Sequence, residues 1–113
     1  MRNKVVLVPF PFDDLSSNKV RPAVCLTEPL GSHRHVVVAF ITSQVPVEML
    51  DTDQLVEPSE PGFEATGLRT ASVIRLHRLM TLSASIIQRE LGVLPQALQQ
   101  AVHDKLKKLF ALG

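Results

Sequence analysis

Tryptophan and tyrosine are absent, and five phenylalanines are the only aromatic residues among 113. The chain therefore offers few platforms of the kind on which single-strand binders stack bases. A single cysteine, Cys25, excludes an intrachain disulfide and any multi-cysteine zinc site. In Ala23-Val24-Cys25-Leu26 it reads as a small core residue, with a reactive thiol as the alternative. The five glycines are scattered, and no Gly-rich phosphate loop, GxSxG, HExxH or CxxC motif occurs. The longest apolar runs, Val5 to Phe12 and Val36 to Ile41, fall far short of the ~18–20 residues of a membrane span. In the opening MRNKVVLVPFPFDD, bases precede an apolar run, but two prolines and two acids break it. No signal peptide is read there, and a cytoplasmic protein is expected.

What is present is ordinary for a globular domain: 45% of residues are apolar and 20% charged. The length suits one domain over residues 1–113, with no repeat or linker. The net charge of +1 hides an uneven distribution. Residues 1–47 sum to +2, residues 48–64 to −6 with no base, and residues 65–113 to +5. The middle stretch, with its prolines, reads as a solvated loop. A polyanion could bind the basic parts only if that loop lies elsewhere in the fold.

The first half reads as β. Lys4 to Phe12 is a strand, with Val6, Val8, Phe10 and Phe12 on one face and Val5, Leu7, Pro9 and Pro11 on the other. Its prolines place that end at an edge or a bend. Asp13 to Lys19 is a polar turn, Arg21 to Glu28 a second strand, and His35 to Gln44 a third. The third is apolar on both faces and so expected to be central. Residues 45–64 read as irregular, and Phe63 to Thr66 as a brief strand. Ser72 to Met80 is a further strand, with Ile74 and Leu76 on one face and Arg75 and His77 on the other. Ser83 is expected to cap a short turn over Ala84 to Gln88. Arg89 to Leu94 is ambiguous and fits a last strand. A closing helix is expected from Pro95 to about Leu112, ended by Gly113, with Leu98, Ala101, Val102, Leu106, Leu109 and Phe110 at helical spacing. The sum is a mainly β fold, a small half-open barrel capped by a C-terminal helix. The wide apolar stripe of the helix fits a homodimer that buries part of it.

His33 and His35 share one face of an extended segment, but no third ligand lies nearby, and a polar turn is the simpler reading. The remaining candidates are polar residues at strand ends: Arg21 before Pro22, Thr42-Ser43-Gln44 after the third strand, and Arg75 and His77 on one strand face. Singly, each suits a surface or turn role.

Together they resemble a known pattern. Val5-Val6-Leu7-Val8-Pro9-Phe10-Pro11-Phe12, Asp14-Leu15-Ser16 and Lys19-Val20-Arg21-Pro22-Ala23-Val24 resemble the opening of the PemK/MazF family of toxin endoribonucleases. Ile41-Thr42-Ser43-Gln44 resembles its second signature. Thr66-Gly67-Leu68, Ser72-Val73-Ile74-Arg75-Leu76 and Met80-Thr81-Leu82 resemble its third, and Leu91-Gly92-x-Leu94 its end. The matches are in order and span nearly the whole chain. The resemblance implies an SH3-like barrel of the CcdB/Kid/PemK kind, a homodimer, a cognate antitoxin and cleavage of single-stranded RNA without metal or cofactor. It assigns catalysis to Arg21 and Thr42. Lys19, Ser43, Gln44 and Arg75 are expected to bind substrate. In some members an Arg and an Asp two residues apart also take part. Arg75 matches that Arg, but His77 stands in place of the acid, and Asn3-Lys4 replaces a frequent Gly-Asp.

In such a reaction the 2′-hydroxyl attacks the adjacent phosphate. A base must take its proton, a cation must hold the phosphorane charge, and an acid must protonate the leaving 5′-oxygen. A guanidinium fork suits the second task, Thr42 can hold the phosphate or orient the nucleophile, and His77 is expected to serve as catalytic base or acid in the first or third. Two other readings compete. One is a non-catalytic member of the fold, a binding module or a gyrase-directed toxin. The other is an unrelated SH3-like barrel.

Overall fold

A computed structural model describes residues 1–10 and 19–113. All of the expected Asp13–Lys19 turn but Lys19, the Asp14-Leu15-Ser16 match and the placement of Pro11 and Phe12 lie outside the described residues. Six strands form one antiparallel sheet: β1 (Lys4–Pro9), β2 (Val20–Cys25), β3 (His35–Thr42), β4 (Asp53–Val56), β5 (Ser72–Ser83) and β6 (Arg89–Val93). Their order is β4-β5-β3-β2-β1-β6, so β3 is interior, as its two-faced apolar run requires. The sheet curls into a half-barrel, and the helix α1 (Gln96–Leu109) closes one side.

Alternation along the strands divides the apolar residues into two cores. Val5, Val24, Ala39, Ile41, Ile74 and Leu76 face α1 and meet its Leu98 and Val102. Val6, Val8, Phe10, Ala23, Val36, Val38 and Phe40 fill the opposite, concave face. Cys25 is fully buried there, and burial pushes its thiol up to about 11, so it packs and does not react.

Four expectations need correction. Residues 45–64 are not wholly irregular, because β4 pairs with β5 within them. Phe63–Thr66 is a 3-10 turn and not a strand, since Gly62 and Gly67 flank it with φ of 83° and 74° and roll the chain. Ser83 makes no capping bond to the turn Ala84–Ile86. The helix starts after Pro95, and Gly113 does not end it. Ala111, at φ 55°, reverses the chain, with Leu112 N–H donating to Lys107 C=O at 2.8 Å.

Two glycines of the matched motifs meet each other's segments. A Cβ on Gly92 would lie 2.0 Å from the Ala65 carbonyl oxygen, and one on Gly67 would lie 2.2 Å from that of Leu91. Leu91 is the extra residue where the β1–β6 register slips. The 3-10 turn and β6 are thus joined backbone to backbone, and Thr66, fully buried, braces the turn by donating to Phe63 C=O at 2.6 Å.

Candidate functional site

The site begins with a proline. Along β2 the backbone groups alternate between neighbours. Phe10 N–H donates to Lys19 C=O, which sets odd-numbered residues toward β1. Leu26 N–H donates to Val37 C=O, which sets even-numbered residues toward β3. Pro22 therefore faces β3 with no N–H to give. Pairing of β2 with β3 ends at Ala23–Phe40, while β3 continues along β5 to Thr42. The two strands part at this point, and a cleft of about 440 Å³ opens between them. Continuing the lost register would set Arg21 opposite Thr42, so both side chains belong to the concave face at the gap.

The cleft is lined by Phe10, Val20, Arg21, Pro22, Phe40, Ile41, Thr42, Ser43, Gln44, Arg75 and Arg78. It thus gathers Arg21, Thr42, Ser43, Gln44 and Arg75 from the expected set. Lys19 and His77 are not part of the lining. Phe10 and Phe40 form the floor, edge to face with centroids 4.9 Å apart. Two guanidiniums sit over the Phe10 ring, Arg21 at 5.6 Å and Arg78 at 5.3 Å from its centroid. The Thr42 hydroxyl accepts the Gln44 N–H at 3.1 Å, which folds Ser43 and Gln44 back at the strand end. Thr42 is therefore the turn former its position suggests and a wall of the cleft at once.

Arg78 is a cleft residue that the sequence analysis missed. Between the pairs Ala39–Leu79 and Phe40–Arg75 the β3–β5 register jumps, leaving Leu76, His77 and Arg78 without partners on β3. Leu76 and Leu79 both turn toward the helix-side core. The two residues between them are thrown the other way, Arg78 over Phe10 and His77 toward β4. A three-residue step between leucines, where two-residue alternation is due, was the available signal.

Arg75 is anchored from behind. Its Nε and Nη2 donate to Oδ1 and Oδ2 of Asp53 at 3.1 and 3.2 Å, a bidentate pair. Asp53, read from sequence as part of a solvated acidic loop, is 2% exposed. It sits opposite Arg75 in the β4–β5 ladder and on the same face. His77 Nδ1 lies 3.9 Å from Asp53 Oδ1, so the imidazole stands beside this carboxylate. Among the described residues the cleft lining is cationic and holds no carboxylate or imidazole. Such a lining can grip an anion.

Comparison with known proteins places this fold. The fold matches the Mycobacterium tuberculosis toxin MazF-mt6 with a TM-score of 0.73 at 23% identity, over 97% of this chain and 98% of that one. It matches an endoribonuclease in complex with its cognate antitoxin, from a mycobacterial species, with a TM-score of 0.73 at 15% identity, over 100% and 96%. A further mycobacterial endoribonuclease matches with a TM-score of 0.67 at 18% identity, over 99% and 91%. No curated protein matches the chain. These likenesses are likenesses of fold. The sequence itself fits the family model of PemK-like, MazF-like toxins over residues 1–110, and on that match the chain belongs to this family of type II toxin–antitoxin systems.

Proposed function

We propose that the protein is a metal-independent endoribonuclease that cuts single-stranded RNA by attack of the 2′-hydroxyl on the adjacent phosphate. The 2′-oxygen–phosphorus bond forms and the phosphorus–5′-oxygen bond breaks, leaving a 2′,3′-cyclic phosphate and a 5′-hydroxyl. The observation that supports this most is the meeting of Arg21, Thr42 and Arg75 in one cleft on the concave face. Arg21 and Arg75 hold the non-bridging oxygens as charge builds on the phosphorane, where a guanidinium fork matches the geometry. Thr42 hydrogen-bonds the phosphate. Ser43, Gln44 and Arg78 contact the flanking nucleotides, and Lys19, at the mouth of β2, meets the strand's backbone charge.

His77 receives no proton-transfer step in this reading, because it stands beside Asp53 and outside the cleft lining. The 2′-hydroxyl proton passes to solvent, and the leaving oxygen takes its proton from solvent or from Arg21. The rate–pH profile of His77→Gln, measured over roughly pH 5.5–8, is expected to keep the wild-type shape, since an essential imidazole would impose its own titration there. A lost limb in that profile would return His77 to the chemistry.

The cognate partner is an antitoxin, as for the mycobacterial endoribonuclease of the same fold. A second copy of the chain is the other partner, and Phe110 and Leu112, both more than half exposed, offer it apolar surface. The test of the activity is incubation of purified protein with long single-stranded RNA in EDTA. Discrete cuts ending in cyclic phosphate are expected. Intact RNA would overturn the proposal and favour a binding role for the same fold.

A further inference from the structure

We propose that Asp53 is the positioning residue of the cleft: it decides which edge of the Arg75 guanidinium meets the phosphate. The inference rests on the endoribonuclease reading of the same cleft. Its starting point is a carboxylate in an unusual place. Asp53 comes from β4, in the most acidic stretch of the sequence, yet its side chain is wholly buried against β5. Both oxygens are engaged. Oδ1 takes the Arg75 Nε–H, and Oδ2 takes the Arg75 Nη2–H and, at 2.9 Å, the Leu50 N–H. A carboxylate so enclosed cannot reach RNA, and it is no general base.

What it does instead is fix a plane. A guanidinium has two forked edges, and Asp53 occupies the Nε/Nη2 edge. The Nη1/Nη2 edge is left for the cleft that Arg75 lines. Asp53 is itself held from the other side, since Lys105 of α1 donates to its backbone carbonyl at 2.6 Å. The charged and titratable groups facing the carboxylate are therefore Arg75 and His77 from β5, while Lys105 from the helix holds the backbone behind it. The acid paired with the strand-β5 arginine thus comes from the neighbouring strand.

The test turns on a conflict of signs. Asp53→Asn removes a negative charge beside a cationic cleft. Simple electrostatics then expects tighter RNA binding and no loss of rate. Positioning expects the opposite for the chemistry. We expect kcat on single-stranded RNA to fall about 30-fold, within the range a misplaced transition-state contact costs, with KM unchanged or lower. In an Arg75→Ala background the same substitution is expected to change kcat less than about twofold, because nothing remains to be positioned. An equal loss in both backgrounds, or an unchanged kcat in the single variant, overturns the inference. Thermal unfolding of each variant separates these outcomes from a loss of fold. If Asp53→Asn does not fold, Asp53→Glu, which keeps the charge and moves the carboxylate by one methylene, carries the same kcat prediction and is judged on it.

Failure of the underlying reading has a different signature, a wild type that leaves RNA intact. The fork is then judged by proton exchange of the Arg75 Nε–H in NMR spectra. Exchange is expected to be slow in the wild type and faster by at least about tenfold in Asp53→Asn, and equal rates overturn it.

Discussion

Replacing Arg21 by alanine is expected to lower RNA cleavage by about 10³-fold. Loss of one preorganised donor to a developing oxyanion typically costs ~10²–10³ in rate, and Arg21 is charged as well. Arg21→Lys is expected to recover only part of this, since an ammonium is a point charge without the two parallel donors that match phosphate oxygens. Circular dichroism should show a folded chain. The side chain sits where the sheet opens, bonds the carbonyl of its own neighbour Val20 at 3.3 Å, and lies over Phe10. Cleavage by Arg21→Ala within about threefold of wild type would remove this residue from the mechanism.

The second large effect concerns stability. Gly92→Ala is expected to destabilise the fold by about 3 kcal/mol or more. The added methyl meets backbone, with the Ala65 oxygen at 2.0 Å and the Thr66 carbonyl carbon at 2.6 Å. Overpacking costs ~1–3 kcal/mol where side chains can yield, and backbone yields least. In a domain of this size that corresponds to a fall in Tm of about 12–20 °C, readable by calorimetry. A Tm within about 3 °C of wild type would mean that the contact between β6 and the 3-10 turn relaxes freely.

These two residues show which parts of the molecule the sequence could reveal. Where local chemistry dictates structure, the reading succeeds. The strands β1, β2 and β3 and the helix follow from alternation and proline placement, and the meeting of Arg21 with Thr42 follows from the family resemblance. The failures share a cause in long-range contact. β4 is only Asp-Gln-Leu-Val, and its burial comes from β5 and α1, which no local pattern announces. Asp53 resembles its five acidic neighbours in sequence. It differs because Arg75, twenty-two positions on, and Lys105, fifty-two positions on, come to it in the fold. In the family resemblance His77 stands at the place of an acid, and alternation puts it on the face of Arg75. The slip in register after Arg75 sends it to β4 and gives Arg78 the place over Phe10.

Pro22 has a consequence for control. Two strands that lack a donor at the fork have no way to zip over it, so the groove between them exists as soon as the sheet has formed. On the proposed function, an inhibitor lying in or over that gap would stop cleavage by occupancy alone.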